Sequence, residues 1–301
     1  MSWFILAIIG HISNGVAFVI DKALLNTALK RSATYAAMVG GLSLATLVAI
    51  PWIKEWPTGN LIPIVALFGV VFVLALWAFF EALKRSEATR VVPIVGSLIP
   101  ILTLLGTMLL FGERLSSKQL IGFACLLTAT WILTGGRFSS RMQKGTLSMC
   151  LIASFLFASS TLFGKYAFDH GDFVGVFISS RIAAGITGII IGLLVPGVGN
   201  EIGKMLKPPR GSKKKTASPF WPVLGQTLGA IGFLFVHLAI KSGSAALVNA
   251  LQAIQYALLV VAALVLKKMA PTLLGENLTR KVLTYKIISL TIAGLGMALV
   301  V

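Results

Sequence analysis

Two stretches of this chain, LFGERLSSKQL (Leu110–Leu120) and LLGENLTRKVL (Leu273–Leu283), share the pattern L-x-G-E-x-L-[ST]-x-K-x-L. Each places a glycine and a carboxylate just before an apolar run, where Glu113 and Glu276 can stabilise a helix N-terminus through its unpaired N–H groups and dipole. Further matches lie outward in the same order. Ala82-Leu83-Lys84 falls on Ala239-Ile240-Lys241, Val91 on Val248, and FVIDKAL (Phe18–Leu24) on TLFGKYA (Thr161–Ala167), with Lys22 on Lys165. The chain therefore reads as two copies of one unit, the second lengthened by insertions.

What surrounds the motifs is apolar. Of 301 residues, 57% are hydrophobic and 12% charged, against about 25% charged in soluble domains. A membrane helix takes about 20 apolar residues. Ten such runs are found: 2–20, 33–53, 61–83, 91–111, 119–133, 147–168, 173–195, 220–240, 245–266 and 283–301. The predicted class is an all-α integral membrane protein of ten transmembrane helices, arranged as two five-helix repeats. The first repeat is placed at 1–135, a connection at 136–145, and the second repeat at 146–301, with a basic loop at 196–219. The N-terminal apolar stretch lacks a basic leader segment and is read as a retained first helix. Cys125 and Cys150 are too few for a disulfide framework and are read as packing residues.

Basic residues decide the orientation. Connections after odd-numbered spans, counting Lys286 at the start of span 10 with them, hold 20 of the 26 Lys and Arg residues, and connections after even-numbered spans hold Lys54, Arg114, Lys118 and Lys241. Lys and Arg collect on the cytoplasmic side, so the odd connections face the cytoplasm and both termini face away from it. Five spans per copy is an odd number, so the copies are inverted. Because this topological role accounts for the net charge of +17, and no stacking aromatics accompany the basic residues, nucleic acid is not expected as a partner. The run KPPRGSKKK (Lys207–Lys215) reads as a solvated cytoplasmic linker or as a surface for anionic lipids.

The stretch FFEALKRSEATRVVPIVGSLIPILTLLGTMLLFGERLSSKQLIG (Phe79–Gly122), with Pro93, Pro100 and Gly112-Glu113, together with the second G-E-x-L-T at Gly275, resembles the ten-helix EamA-like branch of the drug/metabolite transporter superfamily. The resemblance implies that spans 1, 3, 4, 6, 8 and 9 line a substrate cavity and that spans 5 and 10 lie outside it. Members it resembles are mostly described with cytoplasmic termini, the reverse of what the charges indicate here. Ala250 and Ala257 stand where the first copy has its two prolines, so the second copy is expected to bend less.

Polar groups inside a bilayer are costly and mark cavities or interhelical bonds. On span 1, His11, Asn14, Asp21 and Lys22 form one stripe, and span 9 repeats the device with Asn249, Gln252, Gln255 and Tyr256. Lys165 and Arg181 are the cations furthest inside spans. Trp77, Glu81 and His237 sit near span ends, where interfacial anchoring competes with substrate contact. The candidate binding residues are thus His11, Asn14, Trp77, Glu81, Lys165, Arg181, His237, Asn249, Gln252 and Tyr256.

No catalytic or metal-binding signature is present, so neither an enzyme nor a cofactor is expected. The reading is a secondary transporter, an exporter of a small anionic or zwitterionic metabolite such as an amino acid, working by alternating access between inverted repeats in the cell membrane as a monomer or weak dimer. The alternative is a lipid-handling protein or scramblase, whose basic face gathers anionic lipids.

Overall fold

The structure, a computed structural model, describes residues 2–25, 31–86, 88–133, 144–206, 220–255, 257–258 and 280–300. Every regular element among them is helical: α1 (Trp3–Leu25), α2 (Ser32–Leu42) continued by a 3₁₀ segment (Ser43–Trp52), α3 (Leu61–Arg85), α4 (Ala88–Phe111), α5 (Ser117–Leu133), α6 (Thr146–His170), α7 (Phe173–Leu194), α8 (Val198–Leu206), α9 (Phe220–Ser242), α10 (Ala245–Ala250) and α11 (Arg280–Val300). Five of these stretches are long and apolar enough to cross a membrane: Ser32–Trp52, Leu61–Arg85, Ile94–Phe111, Thr146–His170 and Phe173–Leu194. An all-α fold follows from lipid as solvent, since a helix satisfies its backbone polar groups within one segment. The run 207–215, the second G-E-x-L-T motif and Tyr256 lie outside the described residues.

Two compact units emerge, and neither coincides with a sequence half. One comprises 1–28, 92–139 and 216–301, and the other 29–91 and 140–215. In the first, α1 packs along α9 and α5 along α11. The α1–α9 crossing is built on Gly10, where an added Cβ would come within 2.8 Å of the Val236 backbone N, and on Gly232, which lies against Asn14. The α5–α11 pair meets at Gly122 and Gly296 and is tied by the Ser289 hydroxyl donating to the Ala129 carbonyl.

In the second unit α3 packs on α6 and α7, and α2 on α7. Gly40 and Gly188 let α2 and α7 touch backbone to backbone, and Gly69 does the same for α3 on α7. A core of Ala33, Ala36, Ala37, Val73, Ala184, Ile191 and Val198 fills the space, with Phe72, Leu76, Trp77 and Ile202 against it. Small residues carry the crossings because helices in lipid gain from close van der Waals packing rather than from the hydrophobic effect.

Two expectations are corrected. The segment read as a basic loop from residue 196 opens instead with α8. Val198 and Ile202 of α8 reach the core, Glu201 accepts a hydrogen bond from Thr34, and Arg31 donates to the Pro196 carbonyl. One apolar residue per turn on an otherwise polar stretch is enough to dock a short helix, a signal too brief to read as a span. The expected straightness of the second copy also fails. α4 runs unbroken through Pro93 and Pro100, whereas the equivalent α10 stops at Ala250 and turns at Leu251–Gln252. There the amide of Gln252 bonds to Asn249, and those of Ile254 and Gln255 also reach back only three residues. The Val248 carbonyl left over by the interruption is met by a side chain of α1.

Candidate substrate site

In the first unit the site centres on α1. His11 is 4% exposed, and its Nε2 lies 2.8 Å from the carbonyl of Val248 in α10. An uninterrupted helix would give that carbonyl to the Gln252 amide. With Gln252 bonded to Asn249 instead, His11 takes its place, and the interruption leaves no orphaned acceptor at Val248. Gln255 lies close enough for its side chain to interact with the His11 ring. Beside Val248, the Asn249 Nδ2 donates to the Thr103 Oγ1 of α4 at 3.0 Å. Asn14, one turn after His11, rests on Gly232. His237 is buried on α9 with its Nδ1 2.7 Å from the Phe233 carbonyl and its ring 3.9 Å from that of Phe233.

In the second unit the site centres on α7. Arg181 is 3% exposed and its guanidinium carbon sits 4.9 Å from the ring of Phe72, 5.3 Å from Phe68 and 5.7 Å from Phe177. Its Nε lies 3.4 Å from the Ser180 hydroxyl. Rings present negative faces to a cation, so three of them offset part of the cost of burying it, each contributing about 0.5–2 kcal/mol. The Phe68 backbone carbonyl is held by the Ser160 hydroxyl of α6 at 2.9 Å, which fixes the cage.

The remaining candidates are engaged locally. Lys165 pairs with Asp169 one turn on, at 3.1 Å. Glu81 pairs with Arg85 at 2.9 Å and accepts from Ser32 of α2. Trp77 packs on the α2–α3–α7 core, and Gln252 sits at the α10 turn. The structure therefore brings His11, Asn249 and Gln255 to one helix junction and Arg181 into an aromatic cage, while Lys165, Glu81 and Trp77 hold positions that intrahelical pairing and packing explain.

Sequence reasoning did not find Thr103, Phe68 or Phe72. Phe177 was within reach, since it precedes Arg181 by one helical turn and shares its face. Phe68 and Phe72 come from another helix, and nothing local marks them.

Comparison with known proteins bears on both fold and function. No curated protein matches the sequence. A solved crystal structure superposes with a TM-score of 0.65 at 16% identity, covering 99% of this chain and 95% of its own, which shows a shared fold. The EamA-like transporter family is not an enzyme family, and its model matches residues 1–135. That match covers just under half of the chain, and with five helices long and apolar enough to cross a membrane it is consistent with a multi-pass membrane protein of the drug/metabolite transporter superfamily and with transport of small molecules.

Proposed function

We propose that the chain is a secondary transporter exporting a small anionic or zwitterionic metabolite, such as an amino acid, by alternating access between two inverted repeats, 1–135 and 146–301. The observation that carries the substrate class is Arg181, a cation buried among phenylalanines on α7. A desolvated guanidinium recognises a carboxylate or phosphate in a planar, two-point fashion. The repeat reading is supported by the helix pairs. Exchanging the copies turns the α1–α9 pair into α6–α3 and leaves α2–α7 and α5–α11 as they are. Flux of radiolabelled amino acids and organic anions into proteoliposomes, against cationic and neutral controls, tests the reading. Flux confined to the cations would overturn it.

Transport is facilitative, or only weakly proton-coupled, in this reading. Proton-driven carriers often use a membrane-buried carboxylate, and among the described residues no carboxylate occupies the middle of a span. Glu81 lies near the end of α3 and is held by Ser32 and Arg85. An imposed pH gradient should leave the initial rate within about twofold, a shift of less than 0.5 kcal/mol. Gradient-driven accumulation would refute this.

Both termini lie outside the cytoplasm in this reading, on the strength of the 20-to-4 distribution of basic residues. A reporter active only in the cytoplasm and fused after Val301 should stay dark. The same reporter inserted in the Lys207–Lys215 run should be bright.

A further inference from the structure

The α1–α10 junction carries a buried ring nitrogen without a hydrogen bond of ordinary geometry among the described residues. A neutral imidazole has one N–H and one bare nitrogen. A backbone carbonyl can only accept, so the 2.8 Å contact from His11 Nε2 to the Val248 carbonyl places the N–H on Nε2. Nδ1 is then an acceptor. It is buried, and it makes no hydrogen bond of ordinary geometry among the described residues. An acceptor taken out of water and left unmatched is costly, and α1 could have avoided the cost with any side chain offering a single donor.

The chemistry around it is neutral and polar. Gln255 faces the ring, Asn14 follows one turn along α1 on Gly232, and the Asn249 amide is turned to Thr103. Gly15 brings α1 close to the backbone of Gln255, with only 3.4 Å between a built Cβ and the Gln255 Cα. A bare ring nitrogen repels an anion and welcomes an N–H. Because the same ring holds Val248 through its other nitrogen, whatever Nδ1 grips is coupled to the turn at Leu251–Gln252.

We propose that His11 Nδ1 is a binding point for an N–H donor of a small ligand, a primary ammonium or an amide, and that the Nε2 bond to Val248 ties this point to the interruption of the α10 helix. The proposal deepens the carrier reading above, naming the group that an amino-acid-like substrate would present to α1, yet its test reads binding and not flux.

The test is nitrogen NMR on the full-length, ¹⁵N-histidine-labelled protein in lipid nanodiscs, with His11→Gln identifying the His11 signals among three histidines. The expected ligand-free spectrum shows a pure Nε2–H tautomer with Nδ1 at the position of a bare acceptor. Butylammonium and propionamide are titrated in turn, with butyltrimethylammonium as a cation that has no N–H. A saturable Nδ1 shift with butylammonium alone assigns the ammonium, and one with propionamide alone assigns the amide. A response to both assigns a general N–H site. An Nδ1–H tautomer, an equal response to butyltrimethylammonium, or no response to any probe overturns the proposal. So does an Nδ1 signal already hydrogen-bonded without ligand and unmoved by all three, which would mean that water or Gln255 fills the site. Failure of flux with a saturable Nδ1 shift would reject the carrier reading while leaving this site standing.

Discussion

Arg181→Ala should reduce substrate flux in proteoliposomes more than a hundredfold, about 3 kcal/mol, the scale of removing one partner from a desolvated ion pair. The guanidinium is 3% exposed and enclosed by Phe68, Phe72 and Phe177, so no bulk water stands ready to replace it. Arg181→Lys keeps the charge but loses the planar fork and the flat stacking face, and an intermediate loss of about tenfold is expected, roughly 1.4 kcal/mol. Thermal unfolding of the purified variants separates recognition from folding. If Arg181 serves transport, the Lys variant melts near the parent temperature while its flux is impaired. If both variants fold and carry substrate at the parent rate, the guanidinium is a packing element and the anionic substrate class falls.

Gly69→Ala and Gly41→Ala are the same chemical change, and they should have opposite outcomes. A Cβ at Gly69 would run into the Ser180 carbonyl and lie 2.8 Å from the Ala184 amide, with the Ala183 Cβ at 3.0 Å. Backbone atoms cannot rotate away, so α3 must separate from α7, an overpacking cost of about 1–3 kcal/mol. The displacement occurs between Phe68 and the Ser180-Arg181 pair, so flux should fall with stability. At Gly41 nothing lies within 4 Å of the added methyl, and alanine there should be neutral or stabilising by up to about 1 kcal/mol through helix propensity. Melting curves in detergent check both. Equal melting temperatures for the two variants would show that the α3–α7 crossing tolerates separation.

Helix positions were legible because lipid imposes a single length and a single composition on every span. The sequence places span 3 at 61–83 and the structure has α3 at Leu61–Arg85; span 7, at 173–195, is α7 at Phe173–Leu194. Burial of Arg181 was legible for the same reason, since a cation eight residues into an apolar run cannot easily reach water. α8 was hidden by its shortness. The α10 interruption was hidden because Ala250 and Ala257 offer no helix breaker, and the side chain that meets the freed Val248 carbonyl is a histidine more than two hundred residues earlier.

The sequence by itself determined an all-helical membrane chain, the pattern shared by Leu110–Leu120 and Leu273–Leu283, and the uneven distribution of basic residues. These are properties of local composition and periodicity, which the bilayer reads directly. Tertiary structure alone decided which helices of one half meet which of the other, that Phe68 and Phe72 enclose Arg181, and that His11 rather than Gln252 takes the Val248 carbonyl. Each of these is a choice between partners distant along the chain. Such choices rest on close approach at glycines such as Gly10, Gly69 and Gly188, and interatomic fit of that kind leaves no periodic trace in the order of residues.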